Sequence, residues 1–468
     1  MNKLPLLDAL MKYHKENNLI LSMPGNKCGK AFEVDDIGRE FAEKLGYLDI
    51  TEVDPLDNLH HPEGVIKEAQ DLLKEYYGSK KAFFIVNGST GGNLASIFAA
   101  FNEGDEVLVE RNCHKSIINA LILRKLKVTY IEPIILENGI FLPPNEEKIY
   151  EALNRCVKVK GIILTYPNYF GISYNLEDVI LDLKKKGLKV IIDQAHGAHF
   201  GVCEELPISL TKIADYIVVS AHKTLPALTG GSYLLVNDED SNIEFYVSAF
   251  MTTSPSYLVM ASLDYARYYL ESYGKKEYKK LINIAEEYKV KINSLGKVKI
   301  LCNKDLPEGY EIDKSRYLLM LEEGYSGHKL LDYFRKKGIQ GEMSIDSAVV
   351  FILSPCNNEE DFKKIYEAIN ELDLNNIKGY NSNIYGENFI PSKALEHYEV
   401  FNMKEEKCKL ENSVGRILKE SIIPYPPGIP IICSGEIISE EIIGKINLLR
   451  SSGVTVIGID NNNEIKVV

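Results

Sequence analysis

The stretch "YIVVSAHKTLPALTGG", residues 216–231, decides how this sequence is read. Tyr216 to Val219 form an apolar run long enough for a buried strand, and a lysine, Lys223, follows it closely. A charged amine near the end of a buried strand is costly to desolvate unless it is used or paired. One reading is a helix-start lysine that reaches solvent, as lysines ordinarily do. The other is a working amine held in a crevice, and the surrounding sequence has to separate the two.

Between about residues 80 and 240, "YIVVSAH" is one of seven such runs. The others are "AFFIVNG", "DEVLVERN", "VTYIEPI", "GIILTYP", "KVIIDQA" and "GSYLLVN". They are rich in Val and Ile and nearly continuous, as strands buried on both faces are. Helical patterns such as "NLASIFAAFNEG", "SIINALILRKL", "NEEKIYEALNRC" and "NLEDVILDLKKKG" lie between most of them. Alternation of this kind predicts an α/β fold with a mostly parallel, seven-stranded sheet. The stretch from Ser254 to Gly296 predicts one or two long helices leading out of the sheet domain. Beyond residue 297, "VKILC", "SRYLLMLE" and "AVVFILSP" with two helical patterns predict a smaller α+β unit. An Asn/Gly-rich connection at 375–394 and a Pro/Gly-rich stretch before a last helix follow. The expected division is an N-terminal segment at 1–65, a large domain at 66–296, a small domain at 297–375 and a C-terminal subdomain at 376–468.

Composition narrows the partners. The chain of 468 residues is 45% hydrophobic and 26% charged, with a formal net charge of −13 and no long basic run. That argues against nucleic acid and anionic membranes. The first 25 residues lack a signal-peptide pattern, and no apolar run reaches membrane-spanning length. The eight cysteines are scattered without a CxxC pair, so they read as free thiols in a reducing cytoplasm rather than disulfides or metal ligands.

In an open parallel sheet, ligands sit outside the carboxyl ends of the strands. After "AFFIV" comes Asn87-Gly88-Ser89-Thr90-Gly91-Gly92-Asn93, which reads either as a phosphate cradle at a helix N-terminus or as an ordinary capped turn. After "DEVLVERN" comes His114, after "KVII" comes Asp193, and after "YIVVSA" comes Lys223. A phosphate cradle, a flat ring, an acid and an amine able to form an imine are what pyridoxal 5'-phosphate (PLP) requires. Each motif alone is weak; their order on successive strand ends makes the combination specific.

At these residues the sequence resembles the bacterial Orn/Lys/Arg decarboxylases of the aspartate-aminotransferase fold (fold type I), in their short form. The resemblance runs from "MPGNKCGKAF" to "PYPPGIPIICSGE" and is most specific in "DITEVDPLDNLHHPEG", "VNGSTGGN", "RNCHKSI", "DQAHGAHFG", "SAHKTLPALTGG" and "TTSPSY". It implies that Lys223 is the imine lysine, Asp193 the partner of the pyridine nitrogen and His114 the stacking ring. It implies that Ser89, Thr90, Ser220 and His222 hold the phosphate, with Gly88 and Ala195 lining the cofactor, and that His196 lies near the departing carboxylate. It also implies a cytoplasmic homodimer or larger oligomer, with the segments around "PGNK" and "TEVDPLDNLHHPEG" facing a neighbour's site. The chain departs from the family pattern at Asn26, Gln194, Ala221 and Gly230, which bears on substrate choice.

The expected reaction is PLP-dependent decarboxylation of a basic amino acid, arginine favoured over lysine and ornithine, yielding a polyamine precursor. Lys223 or His222 would return the proton. Glu52 and Glu342 are candidates for the cationic tail of the substrate, and each reads equally as a structural carboxylate. Two alternatives stay open: another PLP lyase, aldolase or aminotransferase, or a silent homologue. Arg316 and Arg335 lie in no motif that would suit an aminotransferase carboxylate clamp.

Overall fold

The seven apolar runs become the seven strands of one sheet. The structure, a computed structural model, describes residues 4–379, 390–425, 430–451 and 454–468. Half of the expected Asn/Gly-rich connection, and part of the Pro/Gly-rich stretch, lie outside the described residues.

The strands are β1 (Lys81–Ile85), β2 (Glu106–Glu110), β3 (Lys127–Ile131), β4 (Val159–Thr165), β5 (Lys189–Asp193), β6 (Tyr216–Val219) and β7 (Ser232–Val236). They lie in the order β1-β7-β6-β5-β4-β2-β3. All run parallel except β7, which is antiparallel to both neighbours. Every residue of β6 and β7 is buried, which explains why these strands carry no polar alternation. The crossovers include helices α1 (Ser89–Ala100), α2 (Lys115–Arg124), α3 (Glu146–Asn154) and α4 (Glu177–Lys185). Because β1 is parallel to β2, β5 and β6, the four strand ends singled out in the sequence open on one edge of the sheet.

The stretch expected as one or two long helices is α6 (Tyr257–Tyr269) and α7 (Lys275–Asn293), joined without a break by a π-helical turn at Leu270–Gly274. Next comes an antiparallel four-stranded sheet of β8 (Lys299–Ile300), β9 (Arg316–Met320), β10 (Met343–Ile345) and β11 (Ala348–Ile352), in the order β8-β9-β11-β10. Helices α8 (Gly327–Lys336) and α9 (Glu359–Asn370) accompany this sheet. A short N-terminal strand, Leu19–Leu21, pairs in parallel with Ile339–Gly341 in a separate two-stranded sheet, which ties the start of the chain to the segment just before β10. The described residues from 406 onward have a hydrophobic cluster of their own, running from Leu410 to Val467.

Candidate active site

Lys223 lies at the end of a single helical turn, α5 (Ala221–Thr224), that starts where β6 stops. Its Nζ is 3.0 Å from Nε2 of His196. Burial pushes the amine down to about 8, with Arg316 lowering it further while Asp193 and Glu342 pull it up. The lysine is half-buried, turned towards His196, and not ion-paired among the described residues, which argues against the solvent-reaching reading.

Asp193 is the last residue of β5 and is 3% exposed. Its Oδ2 accepts from Asn93 Nδ2 at 3.0 Å and its Oδ1 from the Ala195 amide at 3.1 Å. Among the described residues no ion pair reaches it. A buried carboxylate with amide donors only is short of a cation. Asn93, in the second turn of α1, also donates to Ser116 Oγ at 2.9 Å. Ser116 Oγ in turn lies 2.8 Å from Nδ1 of His114.

His114 caps α2: its Nδ1 accepts from the Ser116 amide, so the ring is neutral with its proton on Nε2. Desolvation by the walls of the cleft lowers its pKa, against the pull of Asp193, although the ring itself lies open. The first turn of α1 has no side-chain cap. Its N-cap, Gly88, has φ 78°, and Ser89 and Thr90 begin the helix. Uncapped amides at a helix start favour an anion. Gly88 N–H donates to the Gly230 carbonyl at 2.7 Å, and Gly230 has φ 95°. The departure at Gly230 is thus a fixed left-handed link between the α1 loop and the lysine turn, where a side chain would be strained. His222 Nδ1 lies 2.9 Å from the Gly231 carbonyl and 3.4 Å from the buried Ser220 Oγ. Donation to that carbonyl places the proton on Nδ1, while burial lowers the pKa of the ring.

Two further residues enter from the small sheet and its approaches. Arg316, the first residue of β9, has a fully buried side chain. Its guanidinium donates to the Tyr169 carbonyl at 2.7 Å, to the His196 carbonyl at 3.1 Å and towards His196 Nδ1 at 3.3 Å. It also pairs with Asp313 at 3.4 Å. Glu342 lies just before β10. It accepts from the Met23 amide at 2.9 Å and from the Tyr169 hydroxyl, and the Tyr169 ring packs 4.7 Å from that of His196.

The N-terminal segment closes the back of the lysine turn. Gly25 N–H donates to the His222 carbonyl at 2.7 Å, and Asn26 Nδ2 donates to the Ala227 carbonyl at 3.0 Å. A Cβ on Gly25 would lie 2.5 Å from both N and O of Leu225. Lys27 is buried, donates to the Ser22 and Ile352 carbonyls, and is lowered by burial to about 8.

Lys223, Asp193, His114, His196, His222 and Glu342 are thus near enough to act on one another, with Ser220 beside His222, Ala195 beside Asp193, and Gly88, Ser89 and Thr90 at the start of the helix that bears Asn93. Glu52 does not join them in this chain; it is exposed and acts on Tyr257. Gln194 also stands apart. Its amide donates to the Gly197 carbonyl and Ser209 Oγ and accepts from the Leu210 amide, so it braces a loop rather than altering the charge of the pocket. Asn93, Tyr169, Asp313 and Arg316 were not singled out by motif. Only Asn93 had a signal, as the last residue of the small-residue run after β1.

The fold, with its carboxyl-edge crevice and its lysine after β6, is that of the fold-type-I PLP enzymes. Residues 4–307 match the family "Orn/Lys/Arg decarboxylase, major domain" and residues 380–459 match "Orn/Lys/Arg decarboxylase, C-terminal domain". The chain belongs to the Orn/Lys/Arg decarboxylase family. It is 34% identical, over 96% of its length and 94% of the relative's, to the Bacillus subtilis (strain 168) protein named "Uncharacterized protein YaaO". It is 30% identical to an arginine decarboxylase of Bacillus anthracis, over 97% and 94% of the two chains. Among solved structures, the Francisella novicida lysine decarboxylase LdcF superposes with a TM-score of 0.79 at 20% identity, covering 99% of this chain and 81% of that one. The Sphingomonas wittichii serine palmitoyltransferase shares the fold at a TM-score of 0.58 and 15% identity, covering 79% and 98%. Asp313, Arg316 and Glu342 lie in the segment between the two family matches.

Proposed function

We propose that this chain decarboxylates a basic amino acid, arginine first among the candidates, with PLP held in the crevice at Lys223. The observation that carries the reading is the half-buried Lys223 amine beside a buried carboxylate, Asp193, with no ion pair to either among the described residues. These residues fit the cofactor: Lys223 would hold it covalently, Asp193 would keep a proton on the pyridine nitrogen, and His114 offers a neutral flat ring. Ser89 and Thr90 at the uncapped start of α1, with Ser220 and His222, would hold the phosphate. Bound PLP supplies the electron sink that takes up the electron pair left when the α-carboxylate departs as CO2.

The residues of the chain divide the rest of the work. His196 and Tyr169, whose rings pack against each other, would shield the reacting carbon from water. The proton that replaces CO2 is delivered from Lys223 Nζ or from the ring of His222. The charge of Glu342 faces the crevice from the small-domain side and suits the cationic end of the substrate better than Glu52 does. An aminotransferase needs a free arginine for the substrate α-carboxylate. Arg316 is near, but its guanidinium is already engaged by Tyr169, His196 and Asp313, which favours decarboxylation.

The four-part division of the chain belongs to the same reading, supported by the separate cluster from Leu410 to Val467. So does an oligomer with the N-terminal segment at the interface. The N-terminal helix Pro5–Lys15 buries none of its residues and presents Leu6 at 73% and Leu10 at 58% exposure. No helix among the described residues is long and apolar enough to cross a membrane. The test is an assay of CO2 and amine release from arginine, lysine and ornithine, with and without added PLP. Formation of a keto acid in place of CO2 and amine sinks the reading. Borohydride reduction and peptide mapping of the wild type and of Lys223→Ala checks the anchor: the pyridoxyl label is expected on Lys223 and absent from the variant.

A further inference from the structure

His196 stands between two nitrogen donors, and only one proton arrangement satisfies both. On one side Arg316 Nη2 points an N–H at Nδ1 over 3.3 Å. Arginine has no acceptor and does not deprotonate, so Nδ1 must be the unprotonated nitrogen. A neutral imidazole then carries its proton on Nε2, and Nε2 faces Lys223 Nζ at 3.0 Å. An ammonium there would oppose donor to donor; a neutral amine accepts the Nε2–H with its lone pair. Resting on the PLP reading above, we propose that Asp313 and Arg316, acting through His196, are positioning residues that favour the free-base form of Lys223, the nucleophile that captures the cofactor aldehyde.

The arrangement is built rather than incidental. Asp313 is fully buried and is held by Nε2 of His199 at 3.0 Å and by Ser315 at 2.7 Å. The His199 ring stacks on Tyr278 at 5.2 Å and 12°. Asp313 pairs with Arg316, and a Cβ on Gly171 would lie 2.4 Å from Arg316 Cδ, so glycine is what leaves room for the guanidinium. In the capture step Nζ forms a C=N bond to the aldehyde carbon. The aldehyde oxygen leaves as water with the two hydrogens of the amine, and no oxidant or reductant is needed. Free-base lysine does this directly, whereas an ammonium must first lose a proton. The charged groups facing Lys223 are Asp193, Arg316 and Glu342; those facing His196 are Lys223, Arg316, His114 and His222. Burial first, and then the charge of Arg316, hold His196 well below its ordinary pKa, so the ring stays neutral; any charge on Lys223 would only push it lower.

Two measurements on the full-length, cofactor-stripped protein test this. The first needs no variant: ¹⁵N chemical shifts of histidine-labelled protein are expected to show His196 protonated on Nε2 and bare on Nδ1. A proton on Nδ1 overturns the proposal. The second is the rate of PLP capture against pH, trapped by borohydride at Lys223. In the wild type it is expected to level off near pH 8, the value to which the amine is lowered. Arg316→Met and Asp313→Asn free the ring to flip, so both midpoints are expected to rise by about one unit or more, with capture roughly tenfold slower at pH 7. Asp313→Asn separates the relay from a simple field effect, because deleting a negative charge can only lower a lysine midpoint through the field. An unchanged or lowered midpoint in Asp313→Asn overturns the proposal. Absence of label on Lys223 at every pH in the wild type overturns the PLP reading itself, a result distinct from either.

Discussion

Single side chains here carry proton states that elementary electrostatics predicts, and each is testable. Among the described residues Asn93 is the one side-chain donor to Asp193. Removing a hydrogen bond to a buried charge costs about 2 kcal/mol, which is on the order of 30-fold in affinity. Asn93→Ala is therefore expected to weaken PLP binding by about that factor in an equilibrium titration, while leaving Lys223 able to be labelled. Glu110, at the end of β2, titrates in the opposite sense to an ordinary ion-paired carboxylate. Burial raises it to about 7, opposed by the Thr165 amide that donates to it at 2.9 Å. Its folded pKa lies above its unfolded one, so its contribution is fully present below about pH 4.5. That contribution is lost as pH rises towards 7, at up to about 1.4 kcal/mol per unit. Glu110→Gln is expected to flatten this part of the stability–pH curve, so the variant gains on the wild type between pH 5 and pH 8 in denaturant titrations. Equal slopes for the two proteins would contradict the assignment.

At the scale of elements, the working turn is clamped from behind. The N-terminal segment lays its backbone against α5, with Gly25 so close that a methyl group has no room. Gly25→Ala is expected to lower stability by about 1–3 kcal/mol and to shift the visible absorbance of bound cofactor, because the lysine turn must move. An unshifted spectrum with lowered stability would confine the contact to packing. What was legible in the sequence follows from the same geometry. Strands packed between layers read as continuous apolar runs whichever way they point, so the seven strands of the large sheet were visible, and strand ends marked Asp193 and Lys223. The pairing of Leu19–Leu21 with Ile339–Gly341 was not, because strands of three residues leave almost no periodic trace. Arg316 was weighed only as a carboxylate clamp and set aside, because no motif surrounds it. Only the tertiary approach of His196, 120 residues away, gives it meaning. Gln194 misled in the other direction: adjacency to Asp193 suggested the pocket, yet alternation along an extended backbone turns it into the loop behind.

At the scale of the whole molecule, the C-terminal part is fastened to the large sheet by a buried ion pair. Arg111, just past β2 and three residues before His114, meets Glu436 of the "CSGE" turn at 2.6 and 2.8 Å, with neither side chain more than 1% exposed. Its guanidinium lies over the Tyr130 ring at 4.7 Å, and the Tyr130 hydroxyl meets His397 Nε2 at 2.7 Å. Breaking such a pair strands a charge at a cost of about 3–5 kcal/mol, whereas replacing both partners with apolar groups is far milder. Glu436→Gln is thus expected to lower the unfolding midpoint sharply, and Arg111→Met with Glu436→Leu to restore much of it. The two partners are 325 residues apart. On a ribosome that adds 5–20 residues per second, Arg111 waits roughly 15–65 s for its counter-charge to be synthesised. The loop that bears His114 therefore settles only once Glu436 has been synthesised, which ties the maturity of the candidate site to the making of a segment hundreds of residues downstream.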